Sequence, residues 1–349
     1  MSLQTVNPSE VDGVVERLRD GGFGKTFTEN RSPYMPNALA KRILDSVVYQ
    51  DKNIIVYYTL ELACELYARG ANNVTVATTD PCPETRRITE LLGYKYTLIN
   101  NIKDSDMKNS VIVGNPPFQR TDNKAKRWTL WEEFVNISLE QADVVCLVVP
   151  QSITGPGPVW ERIRKHTKII NTDIKHHFSV NSTFCYFVVD QTIEFSSTKI
   201  ISADGEFDVD IRELPFIPNI VNDDSLALLG ELVNRPKRVW KRGELHTSHS
   251  EKFDTTGQYK VMHTNAQTLY SNIEHPNRQK IRVAVTLSGY PKFEVLENAY
   301  CSQACFWTEF TNIDEARQFA EECNGPEIQK VVGTFKWSGW NSKEVISML

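Results

Sequence analysis

At 349 residues, with 40% hydrophobic and 24% charged side chains, the chain is long enough for one large α/β domain and a second, smaller one. A net charge of -5 excludes a protein coated in basic residues, so any contact with nucleic acid must come from local patches. No apolar run approaches the roughly 18 residues of a membrane span, and the opening MSLQTVNPSEVDGVVERL has neither the basic nor the apolar region of a signal peptide, which predicts a soluble, intracellular protein with no membrane partner.

In chain order, a helix is predicted around Val11–Asp20, and a second follows Tyr34-Met35-Pro36, with Leu39, Ile43, Leu44 and Val47 at helical spacing. The β-rich segments Asn53–Tyr58 and Asn73–Thr79 flank the helical stretch Leu60–Arg69, and strand-helix-strand alternation implies a parallel sheet. It continues with a helix after Glu84, strands near Tyr94–Asn100, Val111–Val113 and Val144–Val149, and a helix over Leu130–Gln141. The expected class is therefore a Rossmann-like α/β fold with a mostly parallel sheet. Ile169–Phe178 and Ser182–Val189 read as late strands. Beyond Glu206 the alternation is lost, which places a boundary near residue 205 between a domain of residues 1–205 and an α+β domain of residues 206–349. The seven cysteines lack framework spacing, and Cys301 and Cys305 lack a second Cys/His pair, so free thiols and no metal site are expected.

Gly114-Asn115-Pro116-Pro117-Phe118 directly follows the strand Val111–Val113, placing a rigid polar loop at the carboxyl end of a parallel strand, where ligands bind in this class. Such a loop suits methylation of a conjugated amine. Its lone pair is delocalised, and two acceptors, the Asn115 side-chain carbonyl and the Pro116 backbone carbonyl, would draw the NH2 group toward a tetrahedral, nucleophilic geometry. Pro116 and Pro117 hold those acceptors still, and Phe118 offers a face for an extruded base.

With these residues the chain resembles the gamma-class N6-adenine DNA methyltransferases of restriction-modification systems, over most of its length. Tyr34-Met35-Pro36 with the following helix resembles that class's amino-terminal cofactor motif, Gly114–Phe118 its catalytic Asn-Pro-Pro-aromatic motif, and Val148–Ser152 its downstream strand-end proline segment. Phe178–Phe184 resembles the late motif, whose aromatic residue, here Phe184, helps hold the flipped base. The resemblance implies S-adenosyl-L-methionine as cofactor, double-stranded DNA with one flipped adenine as partner, and Asn115, Pro116, Pro117 and Phe118 as the catalytic loop. Tyr34, Pro36, Tyr58, Glu61, Asp80 and Asn101 are the corresponding cofactor candidates.

The departures concentrate in the cofactor motif. The first strand ends Tyr57-Tyr58-Thr59-Leu60-Glu61 without the glycine that lets backbone approach a cofactor. Thr78 stands where the family has a carboxylate for the ribose, with Asp80 two residues on, and Asn101 stands where an Asp reaches the adenine ring. Two alternatives follow: an enzyme with a rebuilt pocket, or a relative that binds nucleic acid without transferring methyl groups. Enzymes acting on RNA amines or protein glutamine amides share such loops and form a third class.

Two basic segments are candidates for nucleic-acid contact: Arg120, Lys124, Lys126 and Arg127 behind the Asn-Pro-Pro-Phe loop, and Arg235, Lys237, Arg238, Lys241 and Arg242 around Trp240. Pro81-Cys82 lies too early in the chain to be a base-attacking thiol. His176-His177, read as neighbours on a strand, point to opposite faces and make a poor ligand pair.

Overall fold

The β-branched segments expected as strands form the interior of one large sheet. The computed structural model describes residues 8–19, 35–79, 81–102, 109–118, 130–178, 182–246, 257–264, 267–272, 274, 276–337 and 341–349. The chain divides into two units, Met1–Ile153 with Gly157–Leu214, and Thr154–Pro156 with Pro215–Leu349.

In the first unit α1 (Pro8–Arg19) and α2 (Asn37–Ser46) precede β1 (Asn53–Tyr57), α3 (Leu60–Ala68), β2 (Val74–Thr78), α4 (Pro83–Leu91), β3 (Lys95–Leu98) and β4 (Ser110–Gly114). There follow α5 (Leu130–Gln141), β5 (Val144–Pro150), α6 (Pro158–Ile163), β6 (Thr167–Asn171), β7 (Phe184–Asp190), β8 (Thr198–Ser202) and β9 (Gly205–Val209). The strands form one sheet in the order β3-β2-β1-β4-β5-β7-β6-β8-β9. β1 to β5 are parallel throughout. This is the doubly wound order 3-2-1-4-5, and its direction of growth reverses between β1 and β4, the switch point at which such sheets open a crevice. The next place is taken by β7, antiparallel to both β5 and β6.

Strands covered on both faces need apolar residues at every position, which explains the unbroken runs Val111–Val113 and Val144–Val149. One face, carrying Ile54, Val56, Val111, Val113, Cys146 and Val148, joins a core with α1, α2 and α3. The opposite face meets α5, whose Phe134 sets its edge against Tyr57 at 6.0 Å between ring centroids.

The strand expected over 169–178 ends at Asn171, because the Asn171 side-chain oxygen accepts the Asp173 backbone N–H at 2.9 Å and turns the chain out of the ladder. Lys175–His177 then form a short 3-10 turn. The sheet also continues past residue 205, since β9 pairs with β8. The first unit closes at Leu214, whose carbonyl accepts from Trp160 Nε1 at 2.9 Å and Arg164 Nη1 at 3.1 Å.

The second unit opens with α7 (Asp223–Val233), started by a capping box between Asn222 and Ser225. Its strands are β10 (Lys241–Arg242), β11 (Tyr259–Thr264), β12 (Gln267–Ser271), β13 (Ile281–Thr286), β14 (Phe293–Leu296), β15 (Tyr300–Cys301) and β16 (Cys305–Phe310). They make a sheet β10-β16-β13-β14 and a sheet β12-β11-β15. Helix α8 (Ile313–Asn324) supplies Ala316, Ala320 and Cys323 to a core with Val283, Val285, Phe293 and Trp240, and α9 (Pro326–Thr334) and α10 (Lys343–Ser347) complete the unit. Arg282, fully buried, pairs with Glu244, donates to the Ala299 carbonyl at 2.5 Å and lies over the Trp307 ring at 4.9 Å. All seven cysteines are free and buried.

Gly114 fixes the spacing of β1 and β4 at their carboxyl ends. A Cβ there would fall 2.6 Å from Tyr57 Cβ and 2.7 Å from the Tyr57 carbonyl oxygen, both fixed parts of a central strand. Gly114→Ala should therefore lower unfolding free energy by about 1–3 kcal/mol, the range for overpacking a filled interior. A urea midpoint equal to that of the parent protein would show that the strands can part without cost.

Candidate functional site

The carboxyl ends of β1 and β4 are tied together at the switch point. The Thr59 hydroxyl donates to the Tyr57 carbonyl at 2.8 Å and accepts the Asn115 backbone N–H at 3.1 Å. That same N–H also lies 3.3 Å from the Tyr57 carbonyl. Asn115 is fully buried, Pro116 and Pro117 are buried, and Phe118 is half-buried. The loop thus sits in a dry, fixed place, where polar groups interact more strongly than in water. The sequence does not single out Thr59, because a lone threonine after a strand gives no signal of this bridging role.

Residue 58 has the backbone shape expected of the missing glycine. Tyr58 has φ 66°, in the left-handed region that a bulky residue rarely enters and that costs about 1–3 kcal/mol. Its phenol oxygen accepts the Thr79 backbone N–H at 3.0 Å and donates to the Thr79 hydroxyl, so the side chain reaches from the end of β1 to the residue after β2. The Tyr58 ring also meets Phe134 edge-on at 5.7 Å. Thr78 is occupied as well, its hydroxyl 2.7 Å from the Tyr96 phenol, which in turn accepts the Cys82 N–H at 2.9 Å. Cys82 is buried at the start of α4, where its sulfur accepts from the Thr85 hydroxyl.

Glu61 lies in the first turn of α3 and is only 8% exposed. Burial pushes its carboxyl up to about 7, against the opposing effect of backbone N–H groups of Glu61 itself and Met35. Through Met35 this acid joins the segment before α2 to the end of β1. Pro36, half-buried, starts α2 by accepting the Leu39 and Ala40 N–H groups at 2.9 and 3.1 Å. Asn101 is exposed in a 3-10 turn following β3. Of the cofactor candidates, Pro36, Tyr58, Glu61 and Asn101 are described, whereas Tyr34 and Asp80 lie outside the described residues.

Phe184 opens β7 opposite Pro150, at the same edge of the sheet. Its ring stacks on Phe118 with centroids 4.9 Å apart and planes 26° apart, and Phe178 adds a tilted contact at 5.3 Å. The two aromatic motifs, distant in sequence, form one cluster. At that spacing the cluster offers its outer surface to a planar ligand, because nothing fits between the rings. Just before Phe178, His176 and His177 do not point to opposite faces as a strand would require. The 3-10 turn brings their rings to 4.0 Å. Arg120, Lys124, Lys126 and Arg127 lie outside the described residues.

In the second unit Arg235, Lys237, Arg238, Lys241 and Arg242 are all exposed. The Arg238 guanidinium lies 4.5 Å from the Phe310 centroid and 4.7 Å from that of Phe319. Lys241 stands over Trp307 at 5.1 Å, and Arg242 over Phe306 at 5.7 Å. These cations are held by aromatic faces rather than spread in solvent. Trp240 departs from the expected contact role: it is 2% exposed, part of the core between Phe293 and Phe319. Its apolar mass anchors the segment, while the flanking cations and Val239 remain outside. Among the described residues there is no group of His, Cys, Asp and Glu arranged to hold a metal ion, and no helix long and apolar enough to cross a membrane.

No family model matches the chain, and no curated protein sequence matches it. Among solved structures, the type I restriction-modification methyltransferase subunit from Streptococcus thermophilus aligns over 58% of this chain and 52% of its own, at 14% identity and a TM-score of 0.38. The match thus spans about half the length of that subunit. A protein from Listeria monocytogenes assigned as a class I S-adenosylmethionine-dependent methyltransferase aligns over 54% of this chain and 70% of its own, at 13% identity and a TM-score of 0.37. The type IIG restriction endonuclease BpuSI aligns over 89% of this chain and 57% of its own, at 9% identity and a TM-score of 0.40. The fold itself follows from the strand order: a Rossmann-like, mostly parallel α/β sheet, as expected from the sequence, followed by a smaller unit of further sheets and helices.

Proposed function

We propose that the chain is an S-adenosylmethionine-dependent methyltransferase acting on the N6 amine of an adenine flipped out of double-stranded DNA, with the first unit catalytic and the second recognising the target. The observation that carries this reading is the buried Asn115-Pro116-Pro117 loop at the switch point of a doubly wound sheet, continued by Phe118 stacked on Phe184. The cofactor supplies an electrophilic methyl group on a sulfonium. Asn115 and Pro116 accept from the amine and raise its nucleophilicity, the prolines prevent the acceptors from following the substrate, and the Phe118–Phe184 stack supports the base. The left-handed turn at Tyr58 retains the backbone shape that a cofactor loop needs, and Glu61, with Pro36 and Asn101, supplies polar and acidic groups at that edge.

A second reading is favoured by one contact. The Tyr58 side chain, bonded to Thr79, lies along the edge from β1 to β2, where a cofactor would run. A relative that binds nucleic acid and transfers nothing would close its pocket in this way. Labelled cofactor offered with duplex DNA, RNA and protein side by side separates DNA methylation from the RNA-amine, glutamine-amide and inactive alternatives.

Replacing Asn115 by Ala should lower turnover about 10²–10³-fold, the scale of removing one preorganised polar group, while DNA affinity changes little. Full methylation by Asn115→Ala would rule out this loop as catalytic.

Cofactor binding should displace a proton. Glu61, half-protonated near pH 7 because its folded pKa is raised to about 7, is pulled toward its charged form by a neighbouring cation. Calorimetry in two buffers of different ionisation enthalpy should record release of up to about half a proton at pH 7, absent in Glu61→Gln. If the parent protein binds no cofactor at millimolar concentration but Tyr58→Gly does, the tyrosine is the closure that the second reading describes; proton-neutral binding would remove Glu61 from the pocket.

Arg235 and Lys237 are exposed, and each cation taken away from a phosphate should reduce the slope of log affinity against log salt by about 0.9. The double change Arg235→Ala and Lys237→Ala should flatten the slope by almost 2 and weaken all sequences alike, as phosphate interactions carry no sequence information. An unchanged slope across a salt series would leave this segment as a solvated turn.

A further inference from the structure

The sheet edge that carries the Phe118–Phe184 stack also carries a group of cations that the proposed chemistry does not use. β6 runs parallel to β5, so its exit and the entry of β7 lie on the same side as Asn115. Between them, the 3-10 turn Lys175–His177 presents Lys175 and His176 to solvent and leads straight into Phe178, whose ring packs on Phe184. Arg42 of α2 donates to the Asp173 backbone carbonyl at 3.5 Å, which fixes its guanidinium beside the turn. The His176 and His177 rings are 4.0 Å apart, and the buried His177 Nε2 meets no hydrogen-bond partner among the described residues.

We propose that Arg42, Lys175, His176 and His177 form a phosphate-binding site for the DNA strand that carries the flipped base, and that it engages with uptake of a proton at His177. This rests on the reading of the chain as a DNA methyltransferase. A flipped nucleotide stays joined to its neighbours, so its strand must leave the aromatic stack along a surface that neutralises its backbone charge. The four side chains gather at the turn that leads into Phe178, whose ring packs on the stack, and they provide such a surface on a chain whose net charge is negative.

The charges that reach His177 set the sign of the pH dependence. Burial, then His176 and Arg42, hold its pKa below the usual imidazole value, and Asp173, whose carboxylate lies 3.5 Å from His176 Nδ1, opposes them only in part. Without an anion protonation of His177 is disfavoured, since the cation would be partly buried and would face Arg42. A phosphate held beside Arg42 and the turn offsets that repulsion and favours the protonated imidazole of His177. Binding therefore takes up a proton, and affinity falls as pH rises from 6 to 8.

The first test follows the imidazole resonances by NMR while inorganic phosphate is added. The resonances of both rings should move, and His177 should titrate at higher pH, with a smaller effect in Arg42→Gln. The second measures the affinity of a 20-base-pair duplex from pH 6 to pH 8. The parent protein should weaken by about tenfold, as for one proton taken up over one pH unit, and the folded double variant His176→Asn and His177→Asn should be nearly flat. DNA bound with the same pH profile in both proteins would overturn the site and leave the methyltransferase reading standing. Absence of DNA binding at every pH would remove that reading; phosphate shifting the histidine pair would still establish the anion site, and silence of both resonances would refute it.

Discussion

The contact of β1 with β4 at their carboxyl ends governs the geometry of the first unit. Tyr57 and Gly114 are register partners in that ladder, and the absence of a Cβ at Gly114 lets the two backbones meet while Tyr57 keeps its ring on Phe134. Because the sheet grows outward in opposite directions from this pair, every neighbouring connection diverges from it and the loop after β4 is left at the mouth of the crevice. Thr59 completes the arrangement by bridging a carbonyl of one strand end and an N–H of the other. Asn115 is thereby fixed by main-chain bonds on rigid strands, which hold a side chain more accurately than a free loop does.

Much of this was legible in the residues. The runs Val111–Val113 and Val144–Val149 announce strands buried on both faces, and Asn-Pro-Pro-Phe behind the first of them announces a stiff loop at a ligand-binding edge. What stayed hidden depends on contacts between distant residues. Nothing in Tyr57-Tyr58-Thr59 announces a left-handed tyrosine, because that conformation is held by the phenol bonded to Thr79, 21 residues away. The early end of β6 was readable in principle, since Asn171 followed two residues later by Asp173 is an Asx-turn pattern; the apolar spacing through Phe178 obscured it. Tertiary packing likewise decided Trp240, whose basic neighbours suggested a surface role although its ring fills the core of the second unit.

Two arrangements of positive charge in the second unit differ sharply in their energetics. Arg282 is buried with Glu244, and Asn277 also donates to that carboxylate at 3.0 Å, so removing either charged partner would leave an uncompensated ion at a cost of about 3–5 kcal/mol. Arg238, Lys241 and Arg242 instead lie against aromatic rings, each contact worth about 0.5–1 kcal/mol where exposed. Cations held in this way lose less conformational freedom on meeting an anion than free side chains do.

The antiparallel strand β7 has a topological consequence for the first unit. In a sheet built only of parallel strands each connection must cross from the carboxyl edge back to the amino edge, and only its beginning lies near a ligand. The chain between Asn171 and Phe184 both departs and returns on the ligand side, as a hairpin fastened at its two ends by ladder pairs on β6 and β7. Ile174 ties this connection to the core, so only its solvent-exposed positions can vary through substitution or insertion without altering strand register or core volume, and each such change falls on the carboxyl edge of the sheet. Variation at that edge is thereby uncoupled from the ladder that holds the scaffold together.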